Sequence, residues 1–186
     1  SFDIIRTIHY NTLRNICKRC AMRLDLKKAV SVPGAEIPFD FMMDLTALEY
    51  NGGKPATRPV SVRGRVVNTA GVLNLQMQIE AELSLVCDRC LKPFSRQKQI
   101  HVDSVVVPHR EREDDDDLIV MDGDGCIDLA EIAETAFILS LDSKNLCRDD
   151  CRGLCSRCGA DLNLGECGCK KEVDPRLAIF QELLKK

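Results

Sequence analysis

The sequence predicts an α+β fold: an antiparallel β-sheet meander packed against a helix, then a C-terminal cysteine-rich module and a short terminal helix. Three observations predict it. Leu73, Leu75, Met77, Ile79, Ala81, Leu83 and Leu85 alternate with polar residues, the period of a long half-buried strand. Asp128-Leu-Ala-Glu131 resembles a capping box and opens an apolar helical face. Eight of the 11 cysteines fall in close-spaced groups. The expected divisions are an N-terminal extension at 1–21, non-native or disordered, a β-rich domain with the capped helix at 22–146, and the cysteine-rich module with a last helix at 147–186.

Residues 1–21 carry Arg6, Arg14, Lys18 and Arg19 against Asp3 alone, a composition unlike that of the rest of the chain. Their ragged apolar face (Phe2, Ile5, Ile8, Ile16) lacks a cap, so an upstream extension is the reading, with Cys17 and Cys20 inside it. Met22 opens MRLDLKKAV, read as a short first strand. A turn at Pro33-Gly34 precedes FDFMMDLTALEY, a short helix or strand, and Asn51-Gly-Gly-Lys-Pro55 is a loop. Val60, Val62, Val66 and Val67 form one strand, Asn68 to Gly71 a turn, and 73–85 the next strand. That strand ends in Cys87-Asp-Arg-Cys90, with Pro93 just beyond, and a third strand is expected around 97–107. Three sequential strands on short turns make a meander.

The run Glu111 to Asp117 is a solvated loop rather than a metal ligand set, because like-charge blocks repel. Leu118–Met121 is a short strand and Cys126 stands alone. Leu129, Ile132, Ala133, Ala136 and Phe137 share one face of a helix reaching about Leu141. After the cysteine segment, Asp174-Pro175 caps a final helix marked by Leu177, Phe180 and Leu184.

Composition narrows the function. The chain has 186 residues, enough for one cored domain with a small appendage. No stretch approaches 18 apolar residues, which argues against a membrane helix. Aromatics are 4% and Trp is absent, so a stacking platform for single strands is not expected. The net charge of −3 excludes a uniformly basic nucleic-acid binder. An odd cysteine count, with no hydrophobic secretory segment ahead of the fold, reads as a reduced, cytoplasmic, metal-binding chain rather than a disulfide framework.

The cysteine pattern is Cys87-x2-Cys90, then Cys147-x3-Cys151-x3-Cys155-x2-Cys158, then Cys167-x-Cys169. Zinc takes four thiolates in a tetrahedron, and a Cys-x2-Cys turn supplies two from one tight loop. Cys155, Cys158, Cys167 and Cys169 lie close in the chain among glycines, so they form a local site. Cys87 and Cys90 then join Cys147 and Cys151 in a second. Two zinc ions are therefore expected, although the same ligands also serve an iron–sulfur cluster. Two full sites would bring the net charge to about −7, so any RNA contact is a local patch. Candidate RNA-binding residues are Arg89, Lys92, Arg96, Lys98, Arg152, Arg157, Lys170 and Lys171, several of which also stabilise neighbouring thiolates.

Catalysis finds little support. A thioredoxin-type pair opens a helix, whereas strands flank Cys87 and Cys90. Catalytic zinc usually keeps an open position beside His and Glu, and His9, His101 and His109 all lie outside the cysteine segments. No nucleophile–base pair, phosphate-binding glycine loop or paired catalytic carboxylates stand out. A binding protein is expected, with no catalytic residues.

CDRCLKPF at 87–94, and CRDDCRGLCSRCGADLNLGECGC followed by DPRL, closely resemble the YceD-like family. These are bacterial proteins called large ribosomal RNA subunit accumulation protein, with relatives in chloroplasts. The resemblance covers about residues 22–186, including the MRLDL opening. It implies a role in accumulation or maturation of large-subunit ribosomal RNA and a link to large-subunit ribosomal proteins, near whose genes such proteins are often encoded. Some members keep the first Cys-x2-Cys and lack the later glycine-rich module, which suits a shared site at 87/90 and an added one at 155–169. The resemblance brings no catalytic residues. The expected function is a non-enzymatic ribosome-biogenesis factor binding precursor RNA or a large-subunit ribosomal protein. The alternatives are a protein-interaction adaptor without RNA contact and a redox-sensing zinc protein.

Overall fold

The computed structural model describes residues 22–50, 52–109 and 118–169. The expected extension at 1–21 with Cys17 and Cys20, the acidic run at 111–117, Lys170, Lys171 and the expected final helix lie outside them. The element order is β1 (Arg23–Asp25), α1 (Lys27–Ser31), β2 (Glu36–Met43), β3 (Val60–Thr69), β4 (Val72–Val86), β5 (Pro93–Val107), β6 (Ile119–Val120), β7 (Cys126–Asp128) and α2 (Leu129–Ser140). Strands β2 to β6 form one five-stranded sheet in sequence order, and β1 pairs with β7 in a separate two-stranded sheet.

The described chain divides into two compact units. One runs to residue 85 and includes 95–143; the other combines 86–94 with residues from 144 onward. The tip of the β4–β5 hairpin thus belongs to the cysteine-rich unit.

In the first unit the strand periodicity becomes a core. Val60, Val62 and Val66 of β3 and Leu73, Leu75, Met77, Ile79, Ala81 and Leu83 of β4 are buried on one face. About 25 cal/mol per Å² of apolar surface removed from water drives this burial. Gly64 of β3 pairs with Phe39 on one side and Met77 on the other. A Cβ there would lie 2.1 Å from the Gln76 carbonyl oxygen and 2.7 Å from the Phe39 ring, so only glycine fits. Asn68 is 1% exposed. Its Nδ2 donates to the Ala29 and Val30 carbonyls at 2.7 and 3.2 Å, and its Oδ1 accepts from the Gly71 amide at 2.8 Å. One side chain therefore satisfies carbonyls of α1 and the turn after β3.

Helix α2 starts as its sequence dictates. Asp128 accepts from the amides of Ala130 and Glu131 at 2.9 and 3.2 Å. Leu129, Ala133 and Phe137, spaced by four, are buried in the same apolar cluster as the β3 and β4 side chains. At its C-terminal end, Lys98 of β5 donates to the Ser140 carbonyl, where the helix dipole favours a cation.

Four features depart from the expectations. The sheet is mixed, not wholly antiparallel, because β6 pairs with β5 in parallel, Val106 beside Ile119 and Val107 beside Val120. The chain must cross over between these strands, and local periodicity carries no sign of strand direction. Of the helix or strand expected for FDFMMDLTALEY, the structure has strand, over Phe39 to Met43 only, its side chains alternating between half-buried and exposed. The third meander strand begins at Pro93 rather than 97. α1 and β7 were not expected; α1 has five residues and no side-chain cap. No helix among the described residues is long and apolar enough to cross a membrane.

Candidate metal centres

Both cysteine groups lie within the second unit. The first begins at the hairpin tip. The Cys87 amide donates to the Lys92 carbonyl at 2.9 Å and the Leu91 amide to the Cys87 carbonyl at 2.8 Å. The resulting knuckle aims two sulfurs to one side, with Leu91 at φ +59°. The loop around 145–151 closes over it. Asp88 and Asn145 exchange hydrogen bonds, 2.8 Å from the Asp88 amide to the Asn145 carbonyl and 2.5 Å from the Asn145 amide to Asp88 Oδ2. The Arg89 guanidinium donates to the Cys151 carbonyl at 2.7 Å.

This brings Cys87, Cys90, Cys147 and Cys151 together, their sulfurs all within 4.8 Å of one another. Cys87 Sγ lies 3.8 Å from Cys151 Sγ and Cys90 Sγ 3.7 Å from Cys147 Sγ. A tetrahedral ion with bonds of about 2.3 Å places its sulfurs about 3.8 Å apart. A disulfide would need about 2.05 Å, and all four are free thiols. The donor set therefore fits a thiophilic cation. Phe94, Leu146 and Leu154 pack against these cysteines, of which Cys87, Cys90 and Cys151 are buried.

The second group repeats the knuckle. The Cys155 amide donates to the Ala160 carbonyl at 2.8 Å and the Gly159 amide to the Cys155 carbonyl at 2.9 Å. Cys155, Cys158, Cys167 and Cys169 again hold their sulfurs within 4.8 Å. This cluster is more open; Cys158 is exposed and the other three half-buried.

Each cluster has one acidic thiol and at least one very basic one. Burial pushes the Cys87 thiol up, but the backbone amides of Cys147, Cys90 and Arg89 outweigh it and bring it down to about 6. The amides of Cys158 and Arg157 bring Cys155 down to about 6 as well. Burial, then the neighbouring sulfurs, pushes Cys147 up to about 12. The Cys158 sulfur, then burial, pushes Cys169 up to about 12. Four clustered thiols cannot all ionise against their mutual repulsion; a divalent cation removes that obstacle. Each cluster could hold a metal ion.

The cationic candidates are placed unevenly. Lys92 Nζ lies 2.6 Å from Asp161 Oδ2, a buried atom with no regular hydrogen bond, which the ammonium compensates as an ion pair. The contact, with the Asn163 amide, holds the Asp161 carboxyl down to about 2. Arg96 and Lys98 both face Asp142, at 3.5 and 3.4 Å. Arg89 is committed to the Cys151 carbonyl. Arg152 and Arg157 are exposed. His101 and His109 are exposed and belong to neither cluster, and Cys126 Sγ faces the Asp124 carbonyl at 3.9 Å.

Asp161 and Asn163 escaped the sequence reading. Asn163 Nδ2 donates to Cys151 Sγ at 3.5 Å, and its Oδ1 accepts from the Arg152 amide and the Arg148 guanidinium, each at 2.8 Å. The available signal was the Asp161-x-Asn163 turn between the two ligand pairs of the second cluster.

A family profile described as large ribosomal RNA subunit accumulation protein YceD matches residues 75–184, more than half of the chain and all eight clustered cysteines. The chain belongs to the YceD family. Among YceD-family comparisons, the Bacillus subtilis protein YlbN, itself described as uncharacterised, is 25% identical over 167 residues, 88% of this chain and 97% of that one. Uncharacterised proteins of Mycobacterium tuberculosis and Mycobacterium bovis are 31% identical over 101 residues, 53% of this chain and 49% of theirs. No solved structure matches.

Proposed function

We propose that this YceD-family chain is a non-enzymatic ribosome-biogenesis factor that supports accumulation or maturation of large-subunit ribosomal RNA, with two zinc ions as structural centres. The carrying observation is the family match, which spans the hairpin tip and both cysteine clusters. Four thiolates close a zinc shell and leave no position for substrate, which supports a structural role. The ligands are Cys87, Cys90, Cys147 and Cys151 for one ion and Cys155, Cys158, Cys167 and Cys169 for the other. The working compartment is the reducing cytoplasm, where thiols remain available to metal. Precursor RNA or a large-subunit ribosomal protein is the partner. The exposed Arg152 and Arg157, with Lys170 and Lys171, are the proposed phosphate contacts.

A second reading rests on a specific observation. Lys92, Arg96 and Lys98 are each set against a carboxylate, so fewer free cations face a phosphate backbone. This favours an adaptor that holds a basic ribosomal protein without touching RNA. A complex that survives RNase supports the adaptor; one that dissolves supports RNA contact. The governing experiment is the ratio of large- to small-subunit ribosomal RNA after depletion. A selective fall, restored by the wild-type chain, is expected. An unchanged ratio under complete depletion overturns the function.

A further inference from the structure

The turn between the two ligand pairs of the second cluster reaches the first cluster. Asp161, Leu162 and Asn163 lie between Cys158 and Cys167. Asp161 pairs with Lys92 of the first knuckle, and the Leu162 amide donates to the Gly153 carbonyl at 2.9 Å. Asn163 donates to the Cys151 sulfur while its oxygen holds the Arg152 amide and the Arg148 side chain. Asp161 Oδ1 in turn accepts from the Asn163 amide at 2.9 Å and from Nδ2 at 2.7 Å, which fixes the side chain's direction.

We propose that Asn163 is a positioning residue for the first metal centre, and that the 161–163 turn couples ion uptake at the two centres. The proposal rests on reading both clusters as zinc sites. A metal-bound thiolate keeps lone pairs that accept N–H bonds, and such outer partners shift metal affinity by roughly 10–100-fold. The segment carrying Asn163 has little apolar burial of its own: Cys155 and Leu162 are half-buried, and residues 156–160 and 164–166 are exposed. An ion at the second cluster ties together both ends of that segment, so its loading sets Asn163 in place. Linkage makes the effect reciprocal, and each ion raises the affinity for the other.

The test uses the full chain, reduced and metal-free, titrated with zinc and with cobalt. Native mass spectrometry counts ions, and the cobalt–thiolate absorption reports on the sulfurs. The wild type is expected to pass to the two-ion form with little one-ion species. Asn163→Ala and Asn163→Asp should each lower first-centre affinity by at least about tenfold, accumulate the one-ion form and shift the cobalt–sulfur band. Asn163→Asp keeps the acceptor for Arg148 and Arg152 and loses both Nδ2 bonds, to the Cys151 sulfur and to Asp161 Oδ1. Asp161→Asn, which keeps the Asn163 donor to sulfur and removes the carboxylate, separates the N–H···S bond from the turn's own contact. Cys158→Ser with Cys169→Ser should weaken the first centre similarly, and Asn163→Asp added to that pair should weaken it little further. Independent binding in the wild type, or wild-type affinity in Asn163→Asp, overturns the proposal while leaving the zinc reading intact. A wild type that takes up neither metal overturns the zinc reading itself.

Discussion

Leu91 and Gly159 occupy the same place in two separate cysteine knuckles. Each follows the first cysteine of its pair by four residues, each amide donates to that cysteine's carbonyl, and each has a positive φ, +59° and +71°. A leucine in the left-handed region costs roughly 1–2 kcal/mol, which glycine avoids at some entropic expense. Leu91 is 64% exposed, so little packing is lost with it. Leu91→Gly should leave metal stoichiometry unchanged and stability equal or up to about 1 kcal/mol higher, read from urea midpoints of the metal-loaded chain. A loss above about 1 kcal/mol would contradict the backbone account.

Gly64 presents the opposite case. The Gln76 carbonyl and the Phe39 ring occupy the place of a side chain. Gly64→Ala should destabilise the first unit by about 3 kcal/mol through displacement of β2 or β4. Thermal unfolding followed by circular dichroism measures this, and a neutral result would rule out the close approach.

Asn68 holds the carbonyls of Ala29 and Val30 against the turn at Gly71. Asn68→Ala removes one buried and two part-buried hydrogen bonds and should cost about 1–3 kcal/mol. Faster amide exchange at Gly71 than in wild type should accompany it.

Metal affinity should rise with pH. Cys90 and Cys147 are both raised above 9.0, so at pH 7 each carries a proton that the incoming ion must displace. Cys87 and Cys155, at about 6, are ionised at pH 7 and protonate below 6. Zinc uptake at pH 7 should therefore release at least two protons at the first centre, and affinity should fall more steeply below pH 6 than above it. Calorimetry in buffers of different ionisation enthalpy counts the protons.

Exposure orders the two centres. Cys158 is exposed, whereas three of the four cysteines around Cys87 are buried. Mild peroxide or a chelator should take the ion from the 155–169 centre first, and alkylation mapped by mass spectrometry should begin at Cys158. Earlier modification of Cys87 or Cys151 would reverse that order.

How much was legible in the sequence depends on the range of each interaction. The β4 alternation is local, and every second side chain from Leu73 to Leu83 is buried. Asp128 caps α2 with amides two and three residues away, so that helix start is legible too. Two groups of four cysteines are readable because each Cys-x2-Cys turn fixes two sulfurs by itself. The parallel pairing of β6 depends on a crossover, and α1 on carbonyls taken up by Asn68 from 38 and 39 residues away. Asn163 reads as an ordinary turn residue until folding brings Cys151 to it.

The two centres also differ in the span of chain they close. Cys155 to Cys169 is a short local loop, whereas Cys87 and Cys151 are 64 residues apart and Cys90 and Cys147 are 57. A cross-link over a span near 60 residues removes about 4 kcal/mol of unfolded-chain entropy in the loop-closure model, against about 3 for a 15-residue one. The local centre can therefore form as soon as its own segment exists. The long-range centre must wait until the intervening sheet strands and α2 have been made. During synthesis its last ligand, Cys151, is made before any ligand of the local centre, so an ion at Cys87 would be the first clasp able to shut, once the strands and helix it encloses are in place.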